Sequence, residues 1–332
     1  TDQSFNQTTY EACQEFCDAE GLQFEYYKPQ GDSTPERVAM VDAAIADGYN
    51  VIVMPGYAFA ETIKETAELY PDVTFIALDV AQGDLDPNGE GYTLPSNVYC
   101  AVYQEELCGY MAGYAAVKLG YTHLGVLGGM AVPAVQRFGY GFVQGADAAA
   151  VELGIADQVV MEYAYGNQFY GDADITAYMD NWYQTLGVEV VFASGGGIYT
   201  SAAEAAAKVG GKLIGVDVDQ SANIDTYGEG MCVTSAMKGL AETVQHMLSE
   251  VVAGNFANYG GKIETLGLVS GDDPTANYVQ LPMETTQWGD GFTQDDYKAL
   301  VKAMYDGEVT VSNDTSAMPE TTITVNFAGN IK

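Results

Sequence analysis

Basic residues are scarce in this chain. Only 12 Lys and Arg stand against 46 Asp and Glu among 332 residues, a formal charge of −34, and Arg37 and Arg137 are the only arginines. Nucleic acids are held largely by clustered Lys and Arg that neutralise phosphate, so that class of partner is excluded. The same sign of charge disfavours adsorption to an anionic bilayer surface. Long apolar runs are missing as well: no stretch approaches the roughly 18 consecutive apolar residues of a membrane span. The chain opens in polar sequence, without the basic and then apolar segments of a targeting leader. There are two histidines, His123 and His246, and no Cys-x-x-Cys pair, which leaves no zinc-ribbon pattern. Five cysteines are an odd number, so at least one is unpaired. Cys13 and Cys17 fall one helical turn apart, where an unstrained disulfide is hard to make.

What is present is an ordinary globular inventory, with 48% hydrophobic and 11% aromatic residues, long enough for two domains. A strongly charged surface suits a protein outside the cell or in a salty medium. The repeating unit is a short β-branched run followed by an amphipathic helix, the pattern of a parallel sheet covered by helices. Thr34-Pro35-Glu36 reads as a helix start, and Val38, Val41 and Ile45 mark one helical face. Val51 to Met54 is a short, uniformly apolar strand closed by Pro55-Gly56, a helix follows from about 58 to 70, and Val73 to Asp79 is the next strand. After a Gly, Asp and Pro-rich loop, a second series starts with a strand at 97–102. Further strands are expected at 123–127, 159–163, 188–192, 212–216 and 232–235, with helices near 104–119, 133–152, 173–186, 198–209 and 238–252. The tail reads as a strand near 263–268, a helix near 294–305 and a Thr-rich extended end. Residues 9–20 read as a helix with no strand-like run before it, although a doubly wound lobe opens with a buried strand. The expected division is 1–100 with about 236–262 in an N-terminal lobe, and 101–235 with about 263–332 in a C-terminal lobe.

Enzyme signatures are weak. Neither histidine has a His or Cys at metal-ligand spacing, so both read as structural. Ser235-Ala236-Met237-Lys238 matches a Ser-x-x-Lys nucleophile motif, yet its companion motifs are missing. Gly195-Gly196-Gly197 follows a strand and opens a helix, the setting of a phosphate-cradling turn, but position 200 is Thr and no Lys lies in the turn. Small residues there would instead let the backbone approach an uncharged ligand. At the C-terminal ends of the expected strands stand Gly56, Asp79, Gly128-Gly129, Ser194 to Gly197, Asp217 and Asp219. This is the edge where doubly wound sheets bind ligands. An ionised Asp only accepts hydrogen bonds, so it suits a sugar diol and repels phosphate. For any single Asp, a turn or cap role is the competing reading.

Five ordered stretches resemble the basic membrane protein family, the solute-binding lipoproteins of ABC transporters whose best-understood branch comprises the purine-nucleoside receptors. They are Ser4-Phe5-Asn6-Gln7, Asp72 to Asp79, Gly125 to Met130, Arg137 to Phe142 and Gly215 to Gln220. The likeness runs from Thr1 to about Gly254, with a looser match at 297–311. It implies an α/β, type I periplasmic-binding-protein fold, in which two Rossmann-like lobes with parallel sheets are joined by hinge crossings and close on a ligand in the cleft between them. It also implies site residues: Phe5 as a stacking aromatic with Asn6 beside it, Asp79 at the base, Phe192 as the second stacker, Gly196 where backbone approaches the ligand, Asp217 on the ribose, and Lys238 as a cation donating to a hydroxyl. The family's first strand usually carries an aspartate ahead of Ser-Phe-Asn, and no such segment stands here.

The resulting expectation is a non-enzymatic, monomeric receptor with no cofactor and no metal. Held outside the membrane by a lipid anchor, it would pass guanosine, inosine or adenosine to ABC permease subunits. The hinge is expected near 99–103 and 234–238. Another ring-and-polyol ligand such as riboflavin, a sensor without transport and, more distantly, a Rossmann-type enzyme stay open as alternatives.

Overall fold

The computed structural model describes residues 2–332. In chain order, α1 (Phe5–Glu20) and α2 (Thr34–Ala46) precede β1 (Val51–Pro55), α3 (Ala60–Thr66), β2 (Thr74–Leu78), the one-turn α4 (Gln82–Leu85) and β3 (Val98–Tyr103). Then come α5 (Glu105–Lys118), β4 (His123–Gly128), α6 (Pro133–Glu152), β5 (Val160–Tyr165), α7 (Ala173–Asp180), β6 (Val190–Ser194), α8 (Tyr199–Ala207), β7 (Lys212–Asp217), the one-turn α9 (Ser221–Ile224) and β8 (Cys232–Lys238). The chain ends with α10 (Leu240–Val252), β9 (Lys262–Leu266), β10 (Val279–Gln280), α11 (Gln294–Tyr305) and β11 (Thr324–Asn330). No described helix is long and apolar enough to cross a membrane.

The chain divides into two compact units. The smaller holds residues 6–103 and 240–266, the larger residues 2–5, 104–239 and 267–332. Four chain crossings, at 5/6, 103/104, 239/240 and 266/267, therefore join them. This differs from the sequence division in four places, two of them shifts of three or four residues that put 101–103 in the smaller unit and 236–239 in the larger. Residues 2–5 belong with the larger unit, because Ser4 is wholly buried there and its hydroxyl donates to Asp217. Residues 263–266 belong with the smaller unit, because β9 pairs with β3 from Tyr99↔Lys262 to Tyr103↔Leu266.

The smaller unit carries a four-stranded parallel sheet in the order β1-β2-β3-β9. Its core is formed by Val41, Met54, Ile63, Phe75, Ala77, Leu85, Val98 and Cys100. The helix start read at Thr34 lies one residue earlier: Ser33 is the N-cap, accepting the Glu36 amide, with Pro35 just inside the helix. β1 is an edge strand, and residues 22–29 run without helix or ladder, leaving Leu22 and Tyr26 exposed.

The larger unit carries seven strands in the order β10-β8-β7-β6-β4-β5-β11, all parallel except the short β10. One face packs on α5, α6 and α11 through Val126, Phe142, Tyr163, Phe192, Ile214 and Tyr297. The other packs on α7 and α8 through Leu127, Ile175, Trp182, Val191 and Ala202. Successive residues of β6 alternate between these cores, as a pleated strand buried on both sides must. The loosely read tail is an integral part of this unit: β11 pairs with β5 in parallel, and Tyr297 reaches the Leu281 amide at 2.8 Å.

Glycine sets the approach of α5 to α6. A Cβ on Gly113 would stand 2.1 Å from the Phe142 carbonyl oxygen, and one on Gly109 2.3 Å from that of Phe138. The reciprocal positions Gly141 and Gly145 face the Glu106 and Tyr110 carbonyls at 2.2 and 2.0 Å. A side chain at any of the four would wedge rigid backbone apart, an overpacking cost of about 1–3 kcal/mol or more. Gly113→Ala should therefore lower the unfolding free energy read by chemical denaturation by that amount, whereas Ala at the open, left-handed Gly154 (φ 70°) should cost only local strain.

The first turn of α5 buries Glu106, whose Oε2 finds no hydrogen-bond partner among the described residues. Burial above all, with repulsion from Glu105 added, pushes its carboxyl up to about 7. The folded state thus holds a proton that the unfolded chain gives up near its ordinary value of 4.5. Stability from this group is complete below about pH 4.5 and is lost as pH rises to about 7, on the order of 3 kcal/mol. The lowered carboxyls Asp86, Asp172, Glu152, Asp296 and Asp314 titrate below that window. Melting temperature should fall between pH 5 and pH 8 in the wild type, and Glu106→Gln should flatten that fall and be the more stable protein at pH 8.

Candidate functional site

Parallel strands bring their C-terminal ends to one edge of a sheet, and in the larger unit that edge collects polar and aromatic groups on every strand from β5 to β8. β7 ends at Asp217, which is buried and adopts φ 69°. Asp tolerates this left-handed backbone better than most residues, and the turn lifts its carboxylate out of the strand's alternation. Ser4 donates its hydroxyl to Asp217 Oδ2, while Asp2 Oδ1 accepts the Ser4 amide at 3.2 Å. Residues 2–5 are held further by Gln220, whose amide donates to the Gln3 carbonyl at 3.1 Å, and by the Tyr199 hydroxyl on Gln3 Oε1.

β8 ends at Lys238, beside the β7 terminus, since Asp217 pairs with Met237. The lysine side chain is 2% exposed. Its Nζ donates to Glu105 Oε1 at 3.2 Å and lies 5.2 Å from the Phe5 ring centroid and 5.3 Å from that of Phe138. Glu105 Oε2 accepts from Arg137 Nε at 2.7 Å. Cys108 lies under this cluster; burial raises its thiol well above the ordinary range, so it stays protonated and unreactive. All five cysteines are free thiols.

β6 ends in Ser194-Gly195-Gly196-Gly197. Ser194 Oγ is buried without a hydrogen-bond partner among the described residues. The Gly197 amide donates to the Phe169 carbonyl at 2.9 Å, and Gly196 is left-handed (φ 55°) with its missing Cβ 3.2 Å from the same oxygen. Gly129 lies against the Phe169 ring, where a Cβ would come within 2.6 Å of Cδ1. The small residues thus seat the half-buried Phe169 at the edge.

Phe5, Gly196, Asp217 and Lys238 are therefore gathered on one edge of the larger unit. Asn6 and Asp79 belong to the smaller unit: Asn6 is exposed in the first turn of α1, and Asp79 ends β2 with φ 58° and its amide on the Ala101 carbonyl at 2.8 Å. Phe192 does not serve as the second stacker. Its ring is fully buried mid-strand, stacked on Phe142 at 5.0 Å and edge-on to Phe138 at 6.1 Å, so both faces belong to the core. Phe169 stands at this edge instead, against Gly129 and Gly196. Its place in a loop after β5, between Gln168 and Tyr170, hid it from strand-end counting.

Other expected features resolve as packing. Ser235 and Lys238 stand three apart on a strand, hence on opposite faces, and Ser235 Oγ accepts the Gln220 amide at 3.2 Å, so they form no nucleophile and base pair. His123 Nε2 lies 3.1 Å from Glu162, and His246 Nε2 lies 3.2 Å from the Tyr259 hydroxyl. No cluster of three metal-ligating side chains exists among the described residues. An open recess of 680 Å³ in the smaller unit, lined by Gln82, Tyr92, Leu94, Val102 and Ile263, contains none of the candidate residues.

Residues 1–272 match the family model described as ABC transporter substrate-binding protein PnrA-like. Basic membrane protein B of Borreliella burgdorferi is 26% identical over 237 residues, covering 70% of this chain and 64% of that protein. The match thus spans less than two thirds of that relative's length. The CD4+ T-cell-stimulating antigen of Listeria monocytogenes is 26% identical over 280 residues, 79% of this chain and 73% of that protein. A lipoprotein of Pyrococcus horikoshii is 24% identical over 80% of this chain and 64% of its own. Among solved structures, an ABC transporter solute-binding protein from Conexibacter woesei superposes with a TM-score of 0.70 at 23% identity, covering 94% of this chain and 95% of that one. One from Aeropyrum pernix gives 0.68 at 24% identity, with coverage of 95% and 85%. The fold is that of the type I periplasmic binding proteins. With the sheet order, the strand-end carboxylates and the family match in agreement, the chain belongs to the PnrA-like, basic membrane protein family of ABC transporter substrate-binding proteins.

Proposed function

We propose that this protein is an extracytoplasmic receptor that binds a purine nucleoside without chemical change and presents it to the permease of an ABC importer, from a lipid anchor on the cell membrane. The observation that carries the reading is the convergence, on one sheet edge, of two aromatic rings, a buried carboxylate and a buried ammonium: Phe5, Phe169, Asp217 and Lys238. Aromatic faces hold a flat base in any orientation of its edges, at about 1–3 kcal/mol per stacked base. A carboxylate next to an ammonium matches a vicinal diol, since each hydroxyl can donate to one and accept from the other. Gly196 leaves room for the sugar against backbone. Ser194 Oγ, buried without a partner among the described residues, offers a further hydrogen bond. Asp79 and Asn6 are proposed to read the base.

Charge selects against nucleotides. The two cations near this edge, Lys238 and Arg137, share Glu105, and Asp217 and Glu106 add carboxyl groups beyond it. Among the described residues no uncompensated positive charge is left at this edge for a phosphate, and a phosphate beside Asp217 would meet like charge.

Titration calorimetry should give binding to inosine, guanosine or adenosine, and none to the corresponding monophosphates. Asp217→Asn, which keeps a residue at ease with φ 69°, should weaken nucleoside binding by about ten- to a hundredfold, the worth of a hydrogen bond to a charged group. Phe169→Ala should cost a similar factor, and Phe192→Ala should instead lower the melting temperature. Unchanged nucleoside affinity in Asp217→Asn sinks the ribose assignment. Silence toward every nucleoside with a response to riboflavin keeps the receptor and discards the ligand.

A further inference from the structure

We infer that Glu105 is a positioning residue for this site: its carboxylate, clamped between Arg137 and Lys238, fixes the Lys238 ammonium where a ligand hydroxyl can accept from it. The inference rests on the proposed nucleoside reading and concerns a residue that no motif of the sequence singled out.

The geometry is that of a braced cation. A lysine head group is a point charge on a flexible four-carbon stem and has no direction of its own. Here the Lys238 stem is buried, and Nζ is fixed from three sides by Glu105 Oε1 at 3.2 Å and the rings of Phe5 and Phe138 at 5.2 and 5.3 Å. Glu105 is itself immobile. Its side chain is 0% exposed, it occupies the first turn of α5, where the helix dipole favours a carboxylate, and its second oxygen is held by Arg137 Nε at 2.7 Å. Three elements, α5, α6 and β8, thus each contribute one member of a single charge network.

An ion pair so deeply buried is not explained by stability alone. Replacing such a pair by apolar side chains of similar volume is often neutral or favourable, whereas removing one partner strands the other. A buried ammonium with an aimed donor is what a binding site needs, because a site left without supporting contacts is loose by enough to lose its ligand. Lys238 is the last residue of β8 and Glu105 the first of α5, so the network sits where the chain leaves and enters the unit, on backbone already held by the sheet and the helix.

The test compares inosine with 2′,3′-dideoxyinosine, which lacks the hydroxyls that Lys238 would serve, by calorimetry on the full chain. Glu105→Gln keeps the volume and removes the charge. It should weaken inosine at least tenfold, about 1.4 kcal/mol, while changing dideoxyinosine less than threefold. Lys238→Met should show the same selectivity, and the double variant should be no worse than Lys238→Met alone, because Glu105 acts only through the lysine. Equal losses for both ligands, or additive losses in the double variant, overturn the inference and leave Glu105 a structural residue. If Glu105→Gln fails to fold, Glu105→Asp retains the charge but withdraws it by one methylene, and wild-type inosine affinity in that variant overturns the inference equally. A wild-type protein that binds no nucleoside takes down the proposed function and this inference with it. Wild-type binding with an insensitive Glu105 takes down only the inference.

Discussion

Taking a charge out of water is the costliest step this fold performs, and the ion pair of Lys238 with Glu105 is where it is performed. Almost all of the 46 acidic residues stand at the surface, where water and salt screen them at little cost. Lys238, Glu105, Glu106 and Asp217 do not, being each buried. Effective desolvation costs several kcal/mol per ion, which only close partners and good geometry offset. The rest of the arrangement follows from that need: an arginine brought over from α6, a glutamate at a helix N-terminus, two aromatic rings against the ammonium, and a carboxyl, Glu106, that keeps its proton near neutrality instead of adding another charge.

Helices that carry such groups must pack closely enough for short side-chain reaches. Gly109, Gly113, Gly141 and Gly145 let α5 and α6 meet backbone to backbone, which sets Arg137 on α6 2.7 Å from Glu105 on α5. A wider spacing would stretch that contact beyond hydrogen-bond range. The sheet supplies the other half of the frame. Parallel strands end at one edge, and the chain turns sharply there, so Asp217 and Asp79 adopt positive φ at the ends of their strands in the two units. Backbone strain of this kind persists where surrounding structure over-determines it, and it recurs at sites that bind.

Much of this was legible in the sequence because it is periodic. Short apolar runs alternating with amphipathic helices gave the parallel sheets and, to within a few residues, most of the elements. Strand-end Gly and Asp marked the edge where Asp217 and Gly196 lie. The failures have a common physical cause: single-chain periodicity reports burial and says nothing about which face of an aromatic is spoken for. Phe192 sits in a motif-like place before the glycines, yet an inward position in a strand buried on both faces gives its ring to Phe138 and Phe142. Phe169 lies in a loop without pattern, and only the missing Cβ of Gly129 and Gly196 reveals why it is held there. β11 was hidden similarly, since a Thr-rich edge strand with an exposed face carries little hydrophobic signal, and its pairing with β5 is a contact 164 positions away, Thr324 against Val160. Glu105 was invisible because in a chain so acidic a lone glutamate carries no information until its neighbours in space are known.

Those neighbours also explain why the lysine stands at the end of β8 and not in a loop. Within the larger unit three of the chain's four crossing points are tied to one another: Glu105 to Lys238, the Gly239 amide to the Tyr278 carbonyl at 2.7 Å, and the Tyr278 amide to the Gly267 carbonyl at 3.0 Å, with Gly267 packed so closely on Gln104 that a Cβ would meet Oε1 at 1.8 Å. Residues at a crossing are the ones most exposed to any change in backbone direction. Tying them to one another and to the sheet gives the end of β8 side-chain and backbone restraints beyond those of the ladder itself. In the proposed role of Lys238 a donor so restrained would need no ordering when a ligand arrives, because the conformational entropy a mobile lysine would lose on binding has already been spent in folding.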